Sequence, residues 1–317
     1  MMTDKTTVAI VQARPVFLDL AASLEKAVAL VGDAARQGAR LAAFGETWLA
    51  GYPAWLDFCP AAALWDHEPT KEVFARMRRT SVVVPSTETE VLSRAARENK
   101  IAVVIGINER VERGAGSGTL YNSLLTFDEK GNLANHHRKL VPTYTERLVW
   151  GNGDGDGLRA VETAGAGRVG SLVCWEHWMP LARQAMHDAG EQIHVAVFPT
   201  VHEAHQIASR HYAFEGRCFV LAVGSILHAA DLPTALTKNT DLEKSPEKLL
   251  LRGGSCVIAP DGNFVVEPIF DHEQIICAEI DLAQIDREKM TLDVSGHYSR
   301  PDVFALEVNR NLRRKNE

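Results

Sequence analysis

The chain is built on a repeated change of rhythm, in which short apolar runs alternate with longer stretches whose apolar residues recur every three or four positions. Such runs read as strands buried on both faces, and the stretches between them as amphipathic helices that cover the strands. Strands over 7–12 and 41–44 flank a helix near 20–37, where Leu20, Leu24, Ala27, Val28 and Val31 form one apolar stripe. A helix over 87–99 feeds a strand over 101–107. Strands over 121–127 and 133–139, turning at 128–132, read as a hairpin. The second half repeats the style, with strands over 169–173, 194–198 and 218–223 and helices over 179–188 and 203–215. A late hairpin, 255–259 and 264–266, turns on Pro260-Asp261-Gly262-Asn263 and precedes a strand over 275–280. The polar stretch 230–249 has little periodicity and reads as a long surface loop. No linker divides the chain, so the expectation is one layered α/β domain over 1–317, with a short basic tail from about 308.

With 317 residues, 46% of them hydrophobic, the chain can bury a large core. Its formal charge of −7 and its lack of a basic run interleaved with aromatics give no reason to expect a nucleic-acid partner. The first residues lack the apolar core and cleavage site of a signal peptide. No run approaches the roughly 20 apolar residues that span a bilayer, so no membrane partner is expected. Five cysteines, odd in number and without Cys-x-x-Cys spacing, argue against a disulfide framework and a structural zinc site. The expectation is a reduced, cytoplasmic protein.

Cys174 follows the apolar run Gly170-Ser171-Leu172-Val173, and Pro180 reads as an early helix position. A thiol at such a strand-to-helix turn is held by the scaffold and open on one side. Glu46 and Lys139 fall at the ends of two other expected strands, a usual place for catalytic groups in α/β proteins. A thiol needs a base to take its proton or a cation to lower its pKa, and these two residues could supply both. Three other patterns point nowhere. His202-Glu203-Ala204-His205 has a spacing of three where zinc proteases use four. Asn152–157 mimics the start of a calcium loop but has Thr163 where the bidentate Glu belongs. Gly114-Ala115-Gly116-Ser117-Gly118 matches no phosphate-binding fingerprint, and no Gly-x-Ser-x-Gly elbow is present.

Longer motifs surround the three reactive residues: Gly45-Glu46-Thr47-Trp48 with Gly51-Tyr52-Pro53, then residues 138–147, Trp150-Gly151-Asn152-Gly153-Asp154-Gly155, Cys174-Trp175-Glu176, and residues 296–304. In this order they resemble the nitrilase superfamily and, within it, the true nitrilase branch. The resemblance implies a four-layer αββα sandwich, a Glu46, Lys139 and Cys174 triad, and an additional acid at Glu146. It implies neither metal nor organic cofactor, and a homodimer or larger homo-oligomer that pairs through the helices over 179–188 and 203–215, supported by residues 296–304. The implied reaction is hydrolysis of a small-molecule nitrile to a carboxylic acid and ammonia through a cysteine thioimidate and an acyl-enzyme. An amidase or a cyanide-degrading member shares the same triad, and a binding or scaffold member is the alternative of another class. Trp175-Glu176 and Gly51-Tyr52-Pro53 favour the nitrile. His177 departs from the Asn commonest there in this branch. Trp48, Tyr52, Trp175, His177, Trp178 and His202 are the candidate pocket residues, because aromatic rings offer apolar area to an organic nitrile.

Overall fold

The structure, a computed structural model, describes residues 5–310; Met1–Asp4 and the basic tail beyond 310 lie outside the described residues. The first sheet takes β1 (Lys5–Gln12), β2 (Leu41–Phe44), β3 (Ala102–Arg110), β4 (Leu120–Phe127) and β5 (Leu133–Arg138). The second takes β6 (Val161–Thr163), β7 (Gly167–Val173), β8 (Ile193–Val197), β9 (Phe219–Val223), β10 (Ile226–His228), β11 (Leu249–Ile258) and β12 (Phe264–Phe270). The last strand, β13 (Gln274–Asp281), returns to the first sheet and pairs antiparallel with β1, giving the order β13-β1-β2-β3-β4-β5. The second sheet runs β10-β11-β9-β8-β7-β6, with β12 on β11. Each sheet has a parallel centre, β1-β2-β3 in one and β7-β8-β9 in the other.

The apolar runs are continuous because both faces of each central strand are covered. Val8, Ile10, Leu41, Ala43 and Val104 point into the core shared with Leu172, Val195 and Leu221 of the second sheet. Their neighbours Ala9, Val11, Ala42, Phe44 and Ile105 point the other way, onto Ala27 and Val31 of α1 (Leu20–Arg36). The same outer face receives Leu92 and Ala96, carried by a later helix over residues 87–99. Asp19 caps α1 by accepting from the Ala22 amide, satisfying one of the orphan donors of the first turn. Across the sandwich, helices over 180–188 and 203–216 place Ala185, Met186 and Tyr212 against the second sheet. The layers are therefore helix, sheet, sheet, helix.

Between α1 and the helix over 87–99 lie α2 (Trp55–Phe58) and α3 (Glu68–Arg79), so the latter helix is α4 (Thr87–Asn99). The remaining helices are α5 (Pro180–Asp188), α6 (Glu203–Gly216), α7 (Thr234–Thr237) and α8 (Ala283–Lys289). The periodicity did not show α2, α3, α7, α8, β6 or β10. Most are too short to display a period, and α3 buries only Val73 and Met77 in a run of charges. The stretch 230–249 corrects the expectation of a surface loop. Leu232, Leu236 and Leu242 are buried in a third cluster with Trp55, Met77 and Trp150. Their uneven spacing hides this anchoring in the sequence.

Candidate active site

Glu46 stands two residues after β2, Lys139 directly after β5 and Cys174 directly after β7, so two come from one sheet and the thiol from the other. Two glycines seat the first pair. A Cβ on Gly106 would lie 2.3 Å from Gly45 O and 2.4 Å from Thr47 N, so only a bare Cα lets β3 pass beneath the Glu46 turn. A Cβ on Gly153 would lie 2.5 Å from Lys139 O, the same carbonyl that accepts from the Gly153 amide at 2.8 Å. Cys174 itself has φ 52°, Thr47 44° and Tyr144 43°, left-handed conformations that side chains rarely adopt outside over-determined sites.

Lys139 Nζ donates to Glu46 Oε1 at 3.1 Å and to Glu146 Oε2 at 2.6 Å. Asn122 Nδ2 also donates to Glu46 Oε1, at 2.7 Å. Glu46 Oε2 is buried and accepts no hydrogen bond from the described residues. Both oxygens of Glu146 are engaged, Oε1 by the Tyr52 hydroxyl at 3.0 Å and Oε2 by the Thr143 amide at 2.7 Å as well as by the lysine. Burial, then the neighbouring Glu146 charge, push Glu46 up to about 7 against the pull of Lys139 and Asn122. Burial opposes the lysine's charge, but Glu46, Cys174 and Glu146 outweigh it and keep Lys139 protonated. Burial and the Glu46 carboxylate push the Cys174 thiol well above its usual range, while Lys139 and the Trp175 amide pull it down. The Cys174 thiol therefore does not ionise by itself, while the carboxylate that acts on it is poised near neutrality.

Glu176 is a buried acid of the site that sequence reasoning passed over as a mere motif letter. Its buried carboxylate accepts from the Val173 amide at 2.6 Å, the Leu140 amide at 2.7 Å and His137 Nε2 at 2.9 Å. It therefore ties the cysteine turn to the lysine segment across the two sheets. Burial opposes its charge, yet His137 and the two amides hold Glu176 below the ordinary carboxylate value. Asn122 was equally invisible, because nothing in its strand marks it as facing Glu46.

Cys174 opens onto a cleft of about 940 Å³, whose walls include Tyr52, Phe58, Trp175, Trp178, His202 and Leu251. Trp175 and Trp178 pack ring to ring at 5.4 Å. Tyr52, Trp175, Trp178 and His202 all line this cleft. Trp48 does not. It is buried between α1 and the first sheet, edge-on to Phe44, with its Nε1 donating to Ala13 O at 2.6 Å. A left-handed Thr47 turns the chain just after Glu46, which sends Trp48 into the core rather than the cleft. His177 is also displaced from the cleft wall. Its ring lies buried behind Cys174 against His194, Phe198 and Tyr212, because the tight 3-10 turn Cys174–Trp178 points it inward. Phe58 and Leu251 reach the cleft from the 52–79 and 249–258 segments, and no local signal announces them.

The carbon-nitrogen hydrolase family matches residues 7–289. Over 305 residues the chain is 39% identical to the aliphatic nitrilase of Sinorhizobium fredii strain HH103, covering 96% of each chain. It is 36% identical over 303 residues to the bifunctional nitrilase/nitrile hydratase NIT4A of Lupinus angustifolius, covering 94% of this chain and 84% of that one. The fold is similar to the crystal structure of a carbon-nitrogen hydrolase from Helicobacter pylori G27, with TM-score 0.70 at 18% identity over 94% of this chain and 96% of the other.

Proposed function

The chain belongs to the carbon-nitrogen hydrolase family and to its nitrilase branch, and we propose that it is a nitrilase converting an organic nitrile and two waters to a carboxylic acid and ammonia. Glu46 takes the Cys174 proton on Oε2, and the thiolate attacks the nitrile carbon. The nitrogen gains that proton, leaving a thioimidate. One water adds, ammonia departs and a thioester remains; a second water releases the acid and restores the thiol. Lys139 and the Trp175 amide face the charge that develops in these steps. Glu146, with both oxygens occupied, orients Lys139 and Tyr52 rather than moving a proton itself.

The observation that carries this reading is the division of labour on Glu46. One oxygen is pinned by Lys139 and Asn122, and the other is buried without a donor among the described residues, on a carboxylate whose charge acts on the Cys174 thiol. The nitrile rather than the amide is supported by relatives matched over most of their length, an aliphatic nitrilase and a bifunctional nitrilase/nitrile hydratase. A cleft of about 940 Å³ with aromatic walls supports an organic substrate over inorganic cyanide. Ammonia and acid release across a panel of nitriles, beside the matching amides, tests the assignment. Turnover of amides alone would transfer the reading to an amidase.

The same reading covers residues 1–317 as a single domain and places the protein in the cytoplasm as a homo-oligomer. Five free cysteines support a reducing compartment. No helix among the described residues is long and apolar enough to cross a membrane. Leu181 on α5, Ile207 and Phe214 on α6, and Tyr298 and Phe304 near the end are exposed apolar groups that pairing would cover. Light scattering that returned a monomer would overturn the assembly.

A further inference from the structure

Behind Cys174, away from the cleft, buried polar groups form a chain that the proposed chemistry does not use. His177 Nδ1 lies 2.6 Å from Cys174 O, and His177 Nε2 lies 2.9 Å from His194 Nε2. His194 Nδ1 lies 2.7 Å from Glu191 Oε2, whose other oxygen accepts from the Tyr212 hydroxyl. Arg183 and His187 from α5, Tyr212, Glu215 and His211 from α6, Cys218 beside β9 and Glu176 in the turn surround this line.

The two ends of the line dictate its protons. Cys174 O is a carbonyl and only accepts, so His177 Nδ1 carries a hydrogen. Glu191, already accepting from Tyr212, accepts again from His194 Nδ1, which carries a hydrogen too. The nitrogen-to-nitrogen contact between the rings needs one hydrogen and one lone pair. Three hydrogens on four ring nitrogens make the pair an imidazole and an imidazolium, one proton more than two neutral rings hold. Burial and then His194 push His177 down to about 3, and Glu191 Oε2 at the far end of the line supplies the charge that balances the extra proton.

We propose that His177, His194 and Glu191 form a positioning relay, in which a proton trapped between the two imidazoles and the carboxylate fixes His177 as the donor that clamps the Cys174 carbonyl. That carbonyl belongs to a residue at φ 52°, a conformation that needs holding. Arg183 steadies the same turn by donating to His177 O at 3.1 Å. The relay thus sets the direction of the thiol without touching substrate, and it rests on Cys174 being the nucleophile.

Two measurements test it. In His177→Ala the carbonyl loses its buried donor, and kcat falls roughly 10- to 100-fold while KM stays within about two-fold, since the ring does not line the cleft. Alkylation of Cys174 by iodoacetamide slows in step, and it reads thiol placement whatever the substrate proves to be, so it stands even if the nitrile assignment fails. His177→Asn puts an amide nitrogen where Nδ1 was and recovers most of both rates. Parent-like rates in His177→Ala, or no recovery in His177→Asn, would overturn the clamp. A neutron structure of the unmutated protein needs no variant to fold: three deuterons on the four ring nitrogens, with Glu191 bare, are expected. Two ring deuterons, or one on Glu191, would overturn the relay.

Discussion

In front of Cys174 one ammonium, Lys139, is shared by two carboxylates, Glu46 and Glu146; behind it one carboxylate, Glu191, faces His194 and His187. Both clusters are buried, yet their balance of charge is opposite. The front has a carboxylate in excess, so burial and Glu146 lift Glu46 to about 7, where a proton moves easily. At the rear, burial opposes the Glu191 charge, but His194 and His187 outweigh it and hold the acid down to about 2. In the proposed mechanism, similar residue types therefore serve one cluster that exchanges a proton with the reaction and, in the proposed relay, one that keeps a proton in place. What separates them is stoichiometry, together with access to the cleft.

Substitutions on the two sides should divide accordingly. The largest effect belongs to Cys174→Ala, which reduces ammonia release to background and abolishes any covalent adduct in an intact-mass measurement; residual turnover would end the covalent mechanism. Glu46→Gln comes next, lowering kcat by roughly 10²- to 10⁴-fold as the general base is lost. Because this base works ionised and its value is raised, kcat/KM of the parent falls as the pH drops through about 7, and an acid limb near pH 4 would exclude Glu46 as the base. The same substitution relieves an overloaded carboxylate pair, so the unfolding free energy from denaturant titration should change by no more than about 1 kcal/mol.

Glu191→Gln tests the opposite side. It leaves a buried proton without its counter-charge and destabilises the fold by about 3–5 kcal/mol in denaturant titration, with a smaller loss of kcat than Glu46→Gln. The sign of its pH dependence is also set. The value of Glu191 is depressed on folding, from an ordinary 4.5 to about 2, so its stabilisation is full above 4.5 and lost as the pH falls towards 2. A parent protein equally stable at both extremes would break the comparison. The smallest effects distinguish cleft from core. Trp178→Ala raises KM a few-fold by removing cleft area, whereas Trp48→Phe leaves KM alone and costs about 1 kcal/mol through the lost hydrogen bond to Ala13.

The division between what could be read and what could not follows the range of the forces involved. Strands over 41–44 and 169–173 were legible because a strand covered on both faces shows as a continuous apolar run in its own residues. Trp48 was misplaced because it sits two residues from Glu46, and closeness in sequence across a left-handed turn says nothing about direction. His177 was misplaced for the same reason, three residues from Cys174. Leu232, Leu236 and Leu242 were hidden because their partner, Trp55, lies about 180 residues away in the chain and packing over that range leaves no local period.

The amino-acid sequence by itself determined the alternation of strands and helices, the strand-end placement of Glu46, Lys139 and Cys174, and the family motifs around them. Each of these depends on neighbours within a turn or a strand. Only the tertiary structure decided which oxygen of Glu46 is left free, that Glu146 is saturated, and that His177 faces His194 instead of the cleft. These depend on how two sheets pack across a shared core. An ångström of packing there decides whether a buried carboxylate meets a donor, and so whether it releases its proton or holds it.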